Sequence, residues 1–325
     1  MAKRADVGVG TVSRVLNGSP LVSEATRTRV QGIIDELGYL PSRAAQALSR
    51  GTEAAVAVVA PYFTSPSVMM RLRGIADGLH DLGLDLVLHA VDEPVQRDAR
   101  LASVVKGTAA GVIVVSFAAG SGDVERLQGS GVPIVFVDRR VEGLPHVFVD
   151  DVEGGRLATS HLVGMGHTRI AFVGDRFDDG FGFTSSADRA RGYRLALSEA
   201  GLPYDPHYER VGRPEREEAS RLTADLFGTS NPPTAVFAAS DLQAIGVIEA
   251  VRAAGMSVPG DVSVIGFDDI FVARHIDLTT VRQPLVESGQ IAVAMLGDLM
   301  GGKQPESASV ALETRVVTRS TTAPP

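Results

Sequence analysis

From residue 54 onward, continuous apolar runs rich in valine alternate with amphipathic segments. The runs cover residues 54–60, 84–91, 111–117, 132–138, 169–174, 234–239 and 262–267. Strands that are covered on both faces of a parallel sheet have this pattern, because neither face meets water. Helical periodicity fills the intervals at 67–82, 152–165, 188–200, 214–227 and 241–254, and a last helix from Pro284 precedes a valine-rich tail at 310–317. Repeated βα units with about nine strands predict two α/β lobes with parallel sheets and a cleft between them.

The first fifty residues predict only short helices. Residues 10–17 place their valines on one helical face, and Ser23 is a suitable N-cap for a second helix. The apolar stripe of that second helix is Val30, Ile33, Ile34 and Leu37. A third short run occupies 42–49, before the linker at 50–53. Three short helices bury only a small core.

Charge is unevenly divided between these two parts. The 325-residue chain has a formal net charge of −8, with +3 on residues 1–50 and −11 on the remainder. A basic head on an acidic body favours a negatively charged partner for the head alone. The lack of cysteine excludes disulfides and thiolate ligands, and no apolar run approaches the roughly 20 residues of a membrane-spanning helix. The opening residues lack the apolar stretch of a secretory signal, so we expect a cytoplasmic protein.

The sequence contains no enzyme motif in the structural context that the motif requires. Residues 8–13 begin like a dinucleotide-binding glycine motif, but no strand precedes them and Ser13 stands at the third glycine position. No nucleophile elbow, Walker A or HExxH motif occurs. His161 and His167 have a spacing that suits structural histidines better than metal ligands. We expect no catalytic residues, no metal and no cofactor.

Charged residues stand at the ends of several predicted strands. Asp138, Asp241 and Asp268 end or follow a strand, and Arg189 opens the helix after the long loop at 175–187. Ligands of open α/β sheets bind outside the carboxyl ends of the strands, so these residues predict a ligand site in the cleft. Carboxylates and a guanidinium bind vicinal hydroxyls, ring nitrogens or exocyclic amines. The alternative for Asp241 and Asp268 is helix capping.

Aromatic residues end or follow two of the other predicted strands. Tyr62, Phe63 and Phe117 are candidates for the wall of the cleft, and packing in the core is the alternative for each of them.

With these residues placed, the chain resembles the lactose-repressor (LacI/GalR) family of transcription regulators over essentially its full length. The matching residues in the head are TVSRVLNG at 11–18, Val22-Ser23, Thr26-Arg27, Val30, and LGY at 37–39 before Pro41. The matching residues in the core are Gly166-His167, Arg189, Gly192-Tyr193, PTAVF at 233–237, Val258-Pro259 and DVSVIGFDD at 261–269.

The resemblance implies an α/β fold with a helix-turn-helix head at 1–40, a hinge helix and linker at 41–53, and an effector-binding core at 54–325. The core would consist of two doubly wound parallel lobes of the type I periplasmic-binding-protein kind. We expect lobe one at about 54–151 and 284–309, and lobe two at about 152–283 and 310–320.

The same resemblance assigns the DNA contacts. Helix 10–17 would be the recognition helix, with Arg14 reading guanine in the major groove. Leu48 would wedge into the minor groove from a hinge helix that forms only on DNA. The predicted DNA-binding residues are Val9, Gly10, Thr11, Ser13, Arg14, Asn17, Ala45 and Leu48.

Some positions depart from the family pattern. Only residues 2–5 stand where the family has most of its first helix, so we expect the sequence as written to bind DNA near the non-specific range. Asp6 and Gly8 replace the usual glycine and serine of the turn, and Gly10 has no side chain to read a base. Pro214 stands where the family often has an aromatic residue, which argues against a stacked ring floor there.

These features predict an effector-responsive regulator, most often a repressor in this family. Its expected partners are a palindromic operator DNA, a sugar-like or nucleoside-like effector and a second copy of the chain, with no membrane. Two alternatives remain open. One is a solute-binding protein or an effector sensor that has lost specific DNA binding through its short N-terminus, and the other is a Rossmann-type enzyme.

Overall fold

The computed structural model describes residues 2–16, 21–36, 55–107, 109–118, 121–176 and 180–325. The chain divides into two compact units, Met1–Ala55 and Val56–Pro325. The predicted hinge helix at 42–49 lies outside the described residues, as do Asn17, Ala45 and Leu48.

The smaller unit is helical, as predicted. Its helices are α1 (Ala2–Ala5), α2 (Val9–Leu16) and α3 (Glu24–Glu36). They share a small apolar core of Ala5, Val12, Val15, Val30 and Ile34. The Ser23 hydroxyl accepts a hydrogen bond from the Thr26 amide at 3.4 Å, which confirms the predicted cap of α3.

Strands and helices alternate through the larger unit. The strands of its described residues are β1 (Ala55–Pro61), β2 (Asp85–Val91), β3 (Gly111–Val115), β4 (Ile134–Val137), β5 (His146–Val149), β6 (Ile170–Asp175), β7 (Glu209–Gly212), β8 (Ala235–Ala238), β9 (Ser263–Asp268), β10 (Thr279–Arg282), β11 (Ser309–Leu312) and β12 (Arg315–Val317). Its α-helices are α4 (Pro66–Asp81), α5 (Arg97–Val105), α6 (Ser121–Gly129), α7 (Asp151–Gly164), α8 (Ser185–Glu199), α9 (Arg216–Phe227), α10 (Asp241–Ala253), α11 (Phe271–His275) and α12 (Leu285–Met300).

These strands form two six-stranded sheets, one in each lobe. The orders are β11-β5-β4-β3-β1-β2 and β12-β10-β9-β8-β6-β7. Strand order reverses beside β1 and β3 in the first sheet and beside β6 and β8 in the second, where doubly wound folds bind ligands. The continuous valine runs arise because helices cover both faces, so that Val56, Val58 and Ala60 of β1 have no exposed surface.

The C-terminal tail differs from the expected boundary between the lobes. The run at 310–317 predicted one segment, in lobe two. Instead, β11 pairs in parallel with β5 of the first sheet, and β12 pairs antiparallel with β10 of the second. The tail therefore crosses between the lobes at Glu313–Thr314, because each sheet has an edge strand that offers unpaired backbone groups.

Two histidines hold the last residues of the chain against lobe two. His167 bonds through Nε2 to the Ala323 carbonyl at 2.9 Å, and His161 bonds to the Thr322 hydroxyl at 3.1 Å. Burial lowers the pKa of both imidazoles.

Close packing of α7 against α8 fixes the position of Arg189. A Cβ atom on Gly155 would lie 2.2 Å from the Arg189 carbonyl oxygen, and one on Gly192 would lie 2.0 Å from the carbonyl oxygen of Val152. Only glycine permits this approach of the two backbones.

We expect Gly155→Ala to reduce the free energy of unfolding by about 1–3 kcal/mol or more, because the added methyl must push α7 away from α8. Gly164→Ala is the matched control in the same helix, since no described atom lies within 4 Å of its added Cβ. The control should raise the unfolding free energy by about 0.4–1 kcal/mol. Urea unfolding followed by circular dichroism measures both, and equal effects would contradict the packing.

Candidate functional site

Backbone strain is concentrated where strands end at the cleft. Ser116 and Asp138 follow β3 and β4 of lobe one, and they have positive φ angles of 63° and 67°. Asp268 and Asp269 at the end of β9 in lobe two have φ angles of 119° and 59°. Residues other than glycine rarely adopt such angles, and they cluster at ligand sites. The predicted candidates Asp138 and Asp268 are both in this strained set.

A chain of hydrogen bonds connects these strand ends across the lobes. Arg71 of α4 donates to the Asp138 carboxylate and, at 3.1 Å, to the Gln283 side-chain oxygen. The amide nitrogen of Gln283 donates to Asp268 Oδ1 at 2.6 Å. Ser116 donates to the other oxygen of Asp138 at 2.7 Å. We call Arg71, Gln283 and Asp268 the inter-lobe relay.

The relay leaves one polar atom without a protein partner. Arg71 is only 4% exposed, and its Nε has no hydrogen-bond partner among the described residues. A buried donor of this kind costs free energy unless an acceptor meets it. It is therefore a position where a ligand oxygen or a water molecule would be stabilised.

Arg189 enters the same region from α8. Its Nε donates to Asp151 at 2.8 Å, its Nη1 donates to the Ala239 carbonyl at 2.6 Å, and its guanidinium lies 3.8 Å above the ring centre of Phe267. Burial raises the pKa of Asp151 to about 6, even though Arg189 opposes the shift. Burial also raises the pKa of Asp268, against the opposing charges of Arg189 and Arg71.

Asp241 does not belong to this set, contrary to the sequence expectation. Its side chain has no exposed surface, and it accepts hydrogen bonds from the Thr280 hydroxyl and from the Ile270 amide at 2.8 Å. Burial raises its pKa well above the usual value. It ties α10 to β10 inside lobe two, while Ser240 caps α10 through the Gln243 amide. Its place after a strand was not sufficient to aim the side chain at the cleft.

The three predicted aromatic residues have different surroundings. Tyr62 and Phe63 are 42% and 38% exposed, whereas Phe117 is fully buried in the core of lobe one. Phe117 therefore does not line an open wall. Its ring centre lies 5.8 Å from that of Phe181, a residue that the sequence reasoning missed.

Several other site residues were also missed. Arg71 left a readable signal, because a charged residue stands between Val68 and Ile75 on the buried stripe of α4. Ser116 directly follows β3, and Asp151 lies two residues after β5. Both therefore stand at strand ends, as the predicted candidates Asp138 and Asp268 do. Gln283 left no signal, since nothing in its sequence context indicates that its amide faces both lobes.

In the smaller unit, five of the predicted DNA-binding residues lie in α2: Val9, Gly10, Thr11, Ser13 and Arg14. Gly10 and Arg14 are exposed and Thr11 is half-buried, while Val12 and Val15 face the core. Val9 and Ser13 lie in the same helix.

Neither a metal-binding cluster nor a membrane-spanning helix occurs in the part of the chain that the structure describes. Across the described ranges, no group of three or more His, Cys, Asp or Glu side chains is placed to hold a metal ion. No helix of those same ranges combines the length and apolar character needed to cross a bilayer.

Two doubly wound lobes with polar groups converging from both define a ligand-binding core of the periplasmic-binding-protein kind. A family model for a periplasmic binding protein-like domain matches residues 159–322, and one for bacterial regulatory proteins of the lacI family matches residues 1–42. The HTH-type transcriptional regulator CelR of Thermobifida fusca is 34% identical over 331 residues, which cover 98% of this chain and 96% of that protein.

Solved structures give the same result. The CelR–cellobiose complex matches with a TM-score of 0.74 at 32% identity and covers 98% of both chains. The Lac repressor dimer bound to operator and the anti-inducer ONPF matches with a TM-score of 0.87 at 26% identity, over 99% of this chain and 97% of that one. The chain belongs to the LacI family of bacterial transcriptional regulators, and its relatives are regulators rather than enzymes.

The raised pKa of Asp151 makes stability depend on pH. The folded protein keeps a proton on Asp151 up to about pH 6, whereas the unfolded chain releases it near pH 3.8. The contribution of Asp151 to the unfolding free energy therefore falls as pH rises from about 4 to 6. We expect the wild type to lose up to about 3 kcal/mol relative to Asp151→Asn over this interval.

Urea unfolding at a series of pH values measures this difference. Asp261 provides a control of opposite sign, because hydrogen bonds from Ser257 lower its pKa. Stability from Asp261 is present above its ordinary pKa and is lost as pH falls. Parallel pH curves for the wild type and Asp151→Asn would contradict the assignment.

Proposed function

We propose that this protein is an effector-responsive transcriptional repressor that acts in the cytoplasm. It binds a palindromic operator as a homodimer and a small sugar-like ligand between its two lobes. The observation that carries the proposal is the inter-lobe relay with Arg189 beside it: buried hydrogen-bonding groups from both lobes meet at the ends of strands. A ligand that replaces these contacts changes how the lobes are held together, and effectors regulate through such differential contacts.

The charges of the site favour an uncharged polyhydroxy ligand. Two cations, Arg71 and Arg189, face three carboxylates, Asp138, Asp151 and Asp268. No excess of positive charge is available for an anionic ligand. Carboxylates and guanidinium groups bind the vicinal hydroxyls of a carbohydrate in pairs. The cellobiose complex of CelR supports the same class.

The exposed side of α2 supports the DNA-binding role. Arg14 is exposed on a helix whose other side is anchored by Val12 and Val15, and such a helix can lie in a major groove. We assign base contact to Arg14 and Val9, phosphate contacts to Thr11, Ser13 and Asn17, and minor-groove contact to Ala45 and Leu48. Gly10 lies at a base-facing position but has no side chain to read with.

An exposed apolar patch on lobe two supports the homodimer. Two residues of α11 belong to the patch, Phe271 at 72% and Val272 at 40% exposed, and Ile276 directly after the helix is 38% exposed. Contiguous apolar residues of this kind mark protein interfaces, and a second copy is the partner that a palindromic operator requires.

The alternative is an effector sensor without specific DNA binding. It would keep the cleft and its ligand but show no preference for an operator. A gel-shift titration with DNA from upstream of its own gene separates the two functions.

We expect two variants to separate the DNA site from the effector site. Asp268→Ala should abolish the rise in melting temperature produced by the active member of a sugar panel that includes cellobiose, at a cost of about 1–3 kcal/mol in binding. It should still shift operator DNA. Arg14→Ala should weaken operator binding by about 1–3 kcal/mol and keep the full response to the sugar.

The controls are Asp298→Ala and Arg29→Ala, which change exposed residues of the same types. Both should behave as the wild type in both assays. Retained sugar response in Asp268→Ala would remove Asp268 from the effector site. Equal binding of operator and unrelated DNA by the wild type would favour the sensor.

A further inference from the structure

Phe181 belongs to one lobe but is buried in the other. It lies in the loop between β6 and α8 of lobe two. Its ring has no exposed surface and packs in the hydrophobic core of lobe one, with Val59, Val114, Phe117 and Phe136. A loop side chain that fills the core of a neighbouring lobe holds the two lobes together.

Aromatic contacts fix the orientation of the Phe181 ring. Its centre lies 5.1 Å from that of Tyr62 in an edge-to-face arrangement and 5.8 Å from that of Phe117. Phe183 stacks on its other side at 5.2 Å. These separations are those of favourable aromatic pairs.

The backbone around Phe181 also approaches lobe one closely. Gly182 has a φ of 74°, and a Cβ added there would lie 2.9 Å from the Cβ of Ala118. At the end of the loop, Thr184 accepts a hydrogen bond from the Arg139 guanidinium at 2.8 Å. We call residues 180–184 the aromatic clasp.

The clasp occupies the place where lobe one would hold a ligand. Tyr62 follows β1 and Phe117 follows β3, and strand order reverses between those two strands. Doubly wound sheets bind ligands at this point. In the same structure the polar groups of the cleft bond to one another, and Arg71, Arg189 and Asp268 are each less than a tenth exposed. The cleft is therefore closed on the protein's own side chains.

We propose that Tyr62 and Phe117 form a binding subsite for the apolar face of an effector ring, and that Phe181 fills this subsite when no effector is bound. This inference rests on the proposed function, because it places a ring of the effector in lobe one. An effector must displace Phe181 to bind, so the apparent affinity is the intrinsic affinity multiplied by the fraction of molecules in which the subsite is open.

The clasp can be tested without any ligand or DNA. The chain has no cysteine, so Glu93→Cys after β2 of lobe one and Glu217→Cys near the start of α9 of lobe two can carry a pair of spin labels. Both residues are exposed and follow the carboxyl end of a strand, on the side of each lobe where the cleft lies. Double electron–electron resonance on the protein should give one distance distribution for the closed lobes. Adding Phe181→Ala should move the distribution to longer distances, and Phe181→Leu should give an intermediate shift.

Phe136→Ala is the matched control, because Phe136 is equally buried in the same core but lies on β4 of lobe one itself. It should lower the melting temperature and leave the distance unchanged. An unchanged distance in Phe181→Ala would overturn the role of the clasp, whether or not the protein binds a sugar or an operator.

The ligand class is tested with phenyl β-glucoside and methyl β-glucoside. Loss of the competing ring should make Phe181→Ala bind phenyl β-glucoside about tenfold or more tighter than the wild type does. An equal gain for methyl β-glucoside assigns the subsite to the sugar ring, and a gain for the phenyl compound alone assigns it to an aryl group. If neither compound binds Phe181→Ala more tightly than the wild type, the subsite is refuted.

Discussion

The amide side chain of Gln283 joins charged groups of the two lobes. Gln283 accepts from Arg71 and donates to Asp268, and only a side chain with both a donor and an acceptor can satisfy a cation and a carboxylate together. Buried charges are costly unless they are paired and hydrogen-bonded. Each lobe therefore supplies a hydrogen-bonding partner for a buried group of the other lobe. Separating the lobes without a ligand to replace these partners would leave Arg71, Gln283 and Asp268 unsatisfied.

The scaffold holds these groups in place through strained backbone and close helix packing. Positive φ angles at Ser116, Asp138 and Asp268 store strain at the strand ends. Close contact at Gly155 and Gly192 fixes α8, from which Arg189 reaches Asp151. Preorganised polar groups of this kind bind a ligand with little loss of conformational entropy, because they are already ordered. On the proposed mechanism, each lobe keeps its own half of the site in place and the effector changes the contact between the lobes.

Much of the fold followed from the sequence because it depends on local pattern. Valine runs predict strands covered on both faces, and Ser23 predicts a helix cap. Strand ends also predicted Asp138 and Asp268, and the helix after the long loop predicted Arg189; the structure brings these three side chains to the same region. The direction of a side chain does not follow from its place in the sequence. Asp241 and Asp268 both stand at strand ends, yet the Asp241 side chain points into the core of lobe two.

The missed residues depend on tertiary contacts. Phe181 sits in a long loop, and its burial comes from lobe one, whose strands lie far away in sequence. Gln283 acquires its role only when Arg71 and Asp268 approach from different lobes. The split of the C-terminal tail between β11 and β12 likewise depends on which sheet edges are free. No local periodicity records such contacts.

The most direct test of the central claim is reciprocity between effector and operator. Calorimetric titration gives the dissociation constant of the sugar with and without operator DNA, and a gel-shift titration gives that of the operator with and without the sugar. If the relay couples the sites, both ratios are equal and differ from one, since linkage requires the same factor in both directions. A sugar that binds in the cleft with one and the same affinity in the presence and absence of operator would contradict the account.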